Sequence, residues 1–158
     1  MEPGKATLSM TVLMTPDKAN FSGNVHGGTI LKYLDEVAYA CASRFAGCYV
    51  VTLSVDQVTF RQPIHVGELV TFLASVNYTG RTSLEVGIKV KTEDINKKQV
   101  RQTNSSFFTM VAVGEDGKTV EVPKFTPKSD TEIRRFANAQ ERRTIRAELA
   151  ERYQAMKG

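Results

Sequence analysis

The chain has no tryptophan, only two cysteines and two histidines, and no apolar run approaching the roughly 20 residues that span a bilayer. With His26 and His65 alone and no clustered thiols, a zinc centre lacks ligands, so no metal and no cofactor are expected. Cys41 and Cys48 cannot form a disulfide framework and suit a reducing compartment. The first residues, MEPGKATLSM, lack the basic-then-apolar layout of a secretory signal, so the expected location is cytoplasmic. No G-x-S-x-G elbow is present, which excludes a serine hydrolase of that type. Gly27-Gly28 is not followed by Gly-Lys-Ser/Thr and is no P-loop. There is no internal repeat and no low-complexity tract.

What remains is ordinary globular material. The 158 residues are 41% hydrophobic and 24% charged, enough for one domain with a real core. Net charge is +4, and most of it sits late in the chain: Lys128 to Gly158 holds eight Lys/Arg against five Asp/Glu. Mixed signs at that density describe a solvated helix face better than a nucleic-acid patch. No nucleic-acid partner is expected.

Periodicity sets out the elements. Residues 7–14 read as a first strand, and 15–28, rich in Pro, Asn and Gly, as loop. From Thr29 to Phe45, apolar residues at 30, 34, 37, 38, 41 and 45 share one helical stripe. Lys32 and Glu36 fall opposite it, Asp35 falls at its border, and Gly47 ends the helix. The period then changes to two, predicting strands over 49–62, 67–79, 82–94 and 99–113, with a bulge between Val55 and Val58. Short turns between strands imply an antiparallel sheet, so one helix on one sheet gives an α+β architecture. Residues 118–128 read as an extended linker. Ser129 and Glu132 have capping-box spacing ahead of a second helix reaching about Met156. Ile133, Phe136, Ala137, Ile145, Leu149 and Tyr153 are available for packing, but that apolar side is too thin for a core helix; a lid or an intersubunit contact fits better.

Chemistry concentrates in GNVHGGTILKYLDE, residues 23–36. A Gly pair at a helix start lets a ligand approach free N–H groups, which together with the helix dipole stabilise an anion or a developing oxyanion. Asp35 follows two turns later and Asn24 precedes the helix. The plainer reading of the same residues, a loop turn, a helix start and a surface carboxylate, carries equal weight on this evidence. Cys41 lies on the apolar stripe and reads as core, Cys48 as inert, and His65, in a turn, receives no role.

That block, followed by VVTLSVDQVTFRQPIHVGE, GRTSLEV and FTMVAV, resembles the hotdog-fold acyl-CoA thioesterases, in particular the branch of the cytosolic acyl-CoA hydrolases and their bacterial single-domain relatives. The resemblance covers about residues 8–125. It implies a hotdog fold, a curved antiparallel sheet wrapped around one long central helix, over 1–125, with a linker and C-terminal helical tail over 126–158. It implies Asp35 as catalytic carboxylate, acting as general base or nucleophile, with Asn24 contributed across a dimer interface. His26, Gly27 and Gly28 would meet the thioester carbonyl, and Gly80, Arg81, Thr82 and Ser83 the CoA phosphates; Arg61 is a second candidate there. It implies acyl-CoA as substrate and a homo-oligomer, a dimer at minimum and by extension a trimer of dimers. A hotdog dehydratase or hydratase on acyl-ACP or acyl-CoA, and a non-catalytic acyl-CoA sensor, are the competing readings.

Overall fold

The apolar stripe from Ile30 to Phe45 must leave water, and the sheet that receives it organises the molecule. The computed structural model describes residues 1–158. Strand β1 (Thr7–Leu13) leads through a one-turn 3₁₀ segment (Pro16–Lys18) into helix α1 (Gly27–Ala46). Strands β2 (Val50–Val55), β3 (Leu69–Thr79), β4 (Ser83–Asp94) and β5 (Gln99–Ala112) follow, and helix α2 (Asp130–Met156) closes the chain. The strands form one antiparallel sheet in the order β1-β3-β4-β5-β2. Helix α1 contacts all five strands. The α+β reading holds.

Period-two patterning puts Leu84, Val86, Ile88 and Val90 of β4 on the inner face, with Val70, Phe72, Ala74 and Val76 of β3 beside them. They pack with Ile30, Leu34, Val37, Ala38, Cys41, Ala42 and Phe45 of α1 in a single core. Gly47, at φ 72°, takes the left-handed cap that glycine favours, and its N–H reaches Ser43 O. The linker belongs to this core as well: Val122 and Phe125 are buried, and the Phe125 ring lies edge-on to Phe45.

Two expectations need correction. The strand expected over 49–62 ends at Val55, and the irregularity lies between Thr52 and Ser54 rather than between Val55 and Val58. Asp56 keeps one backbone bond to Phe107 O, but its carboxylate accepts from Arg146 Nε at 2.7 Å, and the chain then leaves the ladder. The phase break in the sequence thus marks the strand's end. The second correction concerns the charges of α2, which were expected on a solvated face. Its capping box forms as expected, Ser129 Oγ accepting from Glu132 N–H and Glu132 Oε1 from Ser129 N–H. Yet Ile133, Ile145, Leu149 and Tyr153 are exposed, and the helix turns its arginines toward the outer sheet face.

The reason is Glu85. It points outward from β4 but is only 3% exposed, because α2 covers it. Arg142 grips it twice, Nε to Oε2 at 3.0 Å and Nη2 to Oε1 at 2.7 Å, and Arg146 joins the same carboxylate. The Arg142 guanidinium lies 3.6 Å over the Phe107 ring, which shields the pair from water. Gly87 makes room for this layer, since a Cβ there would stand 2.5 Å from Asn77 Nδ2, which donates to Glu85. A buried carboxylate with two guanidiniums is costly to break on one side. Glu85→Ala should therefore lower stability by about 3 kcal/mol, measured by urea unfolding, and should release α2 to limited proteolysis ahead of the core.

Candidate active site

The first turn of α1 carries an unneutralised helix terminus. His26 is the N-cap, with no side-chain cap bond and no acidic residue in the first turn. Thr29 and Ile30 donate to His26 O, while the N–H groups of Gly27 and Gly28 have no protein acceptor. A Cβ on Gly28 would meet nothing within 4 Å, so a ligand can reach the backbone there. Gly27 is flanked by the Phe60 ring. The terminus opens on a cavity of about 290 Å³ lined in part by Asn20, Asn24, Gly27, Ile30, Phe60 and Arg61.

The loop before the helix is held by its own amides. Asn20 Oδ1 accepts from Ser22 N–H at 2.9 Å, Ser22 Oγ at 2.7 Å and Asn24 N–H at 3.2 Å. With the oxygen committed, its Nδ2 is left as a donor at the cavity wall. Asn24 has its Oδ1 2.8 Å from His65 Nδ1, and its backbone bridges His65. Sequence reasoning singled out Asn24 and passed over Asn20, although Asn-Phe-Ser is a legible Asx turn.

Asp35 lies on the solvent-exposed border of α1, as its helical angle requires. Its Oδ1 accepts from Thr52 Oγ1 at 2.6 Å, a partner on β2 that sequence reasoning missed. The bond fixes one oxygen and leaves Oδ2 open. Eight residues of helix separate Asp35 from Gly27, roughly 12 Å along the axis. One chain therefore does not bring Asp35 together with the helix terminus, Asn24 or His26.

Gly80 to Ser83 form the turn between β3 and β4, closed by Gly80 N–H to Ser83 O at 2.8 Å. The Arg81 side chain extends into solvent, with only a 4.0 Å approach to Glu121. A second guanidinium stands at this turn: Arg143 of α2 donates to Tyr78 Oη at 2.9 Å and would lie 3.0 Å from a Cβ on Gly80. Arg61 is elsewhere, on the cavity at the start of α1.

These elements match a known family. Residues 22–98 match the family model described as the thioesterase superfamily. Protein VdlD of Helicobacter pylori is 52% identical over 142 residues, which is 90% of this chain and 81% of that protein. Among solved structures, an apo-hexameric acyl-CoA thioesterase superposes with a TM-score of 0.87 at 36% identity, covering 91% of this chain and 92% of that one. The acyl-CoA hydrolase of Staphylococcus aureus, in complex with butyryl coenzyme A, coenzyme A and its disulfide, gives 0.86 at 30% identity, covering 96% and 93%. Alanine variants of that hydrolase at an aspartate, a threonine and an asparagine share the fold, with TM-scores of 0.86, 0.85 and 0.80. The chain belongs to the thioesterase superfamily and has its hotdog fold.

No thiol is placed for nucleophilic work. Cys41 is fully buried, and burial pushes its thiol up to about 11, with Arg44 offsetting only part of the effect. At pH 8 about one Cys41 in 10³ is ionised. A thiol reagent on the folded protein should therefore label only half-buried Cys48, and both cysteines after unfolding, read by mass spectrometry. Rapid labelling of Cys41 in the native state would contradict its placement.

Proposed function

We propose that this protein hydrolyses acyl-CoA thioesters to a free fatty acid and CoA. The observation that carries the proposal is the Asp35 carboxylate held at 2.6 Å by Thr52 in a chain of this superfamily. The two residues lie seventeen positions apart, as do the aspartate and threonine altered in the S. aureus hydrolase. The asparagine altered there precedes its aspartate by fifteen positions, the separation of Asn20 from Asp35.

A thioester is already an activated acyl group, so it needs an oriented water, a base and a place for negative charge. Water attacks the carbonyl carbon while Asp35 Oδ2 takes its proton. The carbonyl oxygen, gaining charge, faces the free N–H groups of Gly27 and Gly28, with His26 beside them; each such donor is worth about 3 kcal/mol. The tetrahedral intermediate collapses, the C–S bond breaks, and the sulfur leaves with a proton as CoA thiol. Direct attack by Asp35, giving a mixed anhydride that water then opens, uses the same groups. The loop supplies amides: Asn20 presents its Nδ2 to the reacting carbonyl or water, and Asn24 stands behind it in the same wall. The turn from Gly80 through Thr82 to Ser83 takes the CoA phosphates, with Arg81 and Arg143 as cations.

The roughly 12 Å between Asp35 and the helix terminus is closed by a second copy of the chain. Strand β2 is the edge that receives it: one side is unpaired, and Val51, Leu53 and Val55 are exposed. A homo-oligomer, a dimer at minimum and a trimer of dimers by extension, then assembles each site from two subunits. The dehydratase reading has less support. It needs a histidine working with a carboxylate, and neither His26 nor His65 contacts one through its ring.

Asp35→Asn should lower kcat for thiol release from acyl-CoA by about 10²–10⁴ with little change in KM; wild-type turnover would remove the proposal. Arg81→Ala, a rim contact, should raise KM for acyl-CoA about tenfold. A short thioester lacking the nucleotide should show no such change, and equal effects on both substrates would place Arg81 in another role.

A further inference from the structure

His65 has no part in the chemistry above, yet its ring holds one of the two loop asparagines. Its Nδ1 stands 2.8 Å from Asn24 Oδ1. An amide oxygen only accepts, so the ring presents Nδ1–H to it, as the neutral Nδ1–H tautomer or as imidazolium. That choice turns Asn24 Nδ2 away from His65. Asn24 in turn is tied to Asn20 twice: its N–H donates to Asn20 Oδ1 at 3.2 Å, and its carbonyl accepts Asn20 N–H at 2.6 Å. His65 is itself anchored. Its N–H donates at 2.7 Å to Glu68 Oε1, and buried Glu68 is paired with Arg101 at 2.9 Å. Arg101 also holds Gln62 Oε1 and Pro63 O. A continuous line of polar contacts thus runs from Arg101 through Glu68, His65 and Asn24 to Asn20.

We propose that His65 is a positioning residue for the hydrolytic site: its ring orients the Asn24 side chain, and the Asn24 backbone N–H and carbonyl in turn hold Asn20, whose amide faces the thioester. The inference rests on the reading of this loop as part of an acyl-CoA hydrolase site. A purely architectural role fits the geometry less well. The two segments are already joined by backbone, through the Asn24–His65 bridge and Val25 N–H to Ile64 O at 2.7 Å. The ring is exposed and adds little apolar burial. What it adds is the orientation of an amide.

The test compares His65→Leu, which removes the donor, with His65→Asn, whose side-chain NH₂ falls near the place of Nδ1–H. Thiol release from acyl-CoA and the thermal midpoint are measured for both, beside Asn24→Ala, the His65→Leu/Asn24→Ala pair and Asp35→Ala. His65→Leu should lower kcat by about 10- to 100-fold, the range for losing a group that orients a reacting one. KM and the midpoint should stay near wild type, and His65→Asn should recover most of the rate. The double variant should be no worse than the worse single one, because both act on one amide. Should His65→Leu fail to fold, His65→Asp replaces it, matching Asn in shape but offering no donor at neutral pH. Wild-type kcat in His65→Leu beside an inactive Asp35→Ala overturns the inference and leaves the hydrolase reading standing. So does a loss that Asn fails to restore, or fully additive losses. Wild-type turnover in Asp35→Ala overturns the hydrolase reading, and the role of His65 with it.

Discussion

Everything in this molecule follows from burying one stripe of α1 against the inner face of a five-stranded sheet. The stripe holds Leu34, Val37, Ala38, Cys41 and Ala42 almost wholly out of water, and truncating one large member, such as Leu34→Ala, costs about 2–5 kcal/mol. Once it is fixed, the helix has no freedom to rotate. Its first turn must surface with Gly27 facing a cavity and Gly28 open beside it, and Asp35 must lie at the border, within reach of Thr52 on the edge strand. The hydrolytic groups proposed here are thus by-products of a packing solution. The glycines add access and the helix terminus adds a fixed positive field.

The outer face of the sheet is stabilised on a different principle. Glu85 is too polar to cover with leucine, and α2 covers it with Arg142 and Arg146. Arg146 reaches on to Asp56, just past the end of β2. One helix therefore braces the strand that carries Thr52 and places Arg143 at the Gly80 turn. Phe136 and Ala139 pack under it, Phe136 with its ring against Tyr78, while Ile133, Ile145, Leu149 and Tyr153 stay exposed.

What was legible in the sequence was whatever local periodicity encodes. The alternation of Leu84, Val86, Ile88 and Val90, the stripe of α1, Gly47 and the Ser129/Glu132 box all stand where spacing put them. What was not legible depends on partners far along the chain. Strand β2 ends just before Asp56, whose carboxylate is taken by an arginine 90 residues later. Thr52 finds Asp35 only once β2 lies beside α1, and α2 turns a charged face inward because Glu85 waits on the sheet. Asn20 was hidden for another reason. The role proposed for it lies in an amide left free after three local bonds, and no pattern of hydrophobicity reports that.

The central claim is that one chain supplies Asp35 and another the loop and helix terminus of each site. It is tested by mixing two inactive proteins, Asn20→Ala and Asp35→Ala, under conditions of demonstrated subunit exchange. In a randomly mixed population half the dimers are hybrids, and each hybrid holds one intact site of two, so thiol release should return to about a quarter of the wild-type rate. No recovery, with exchange demonstrated, would place both residues in a single subunit and contradict the account.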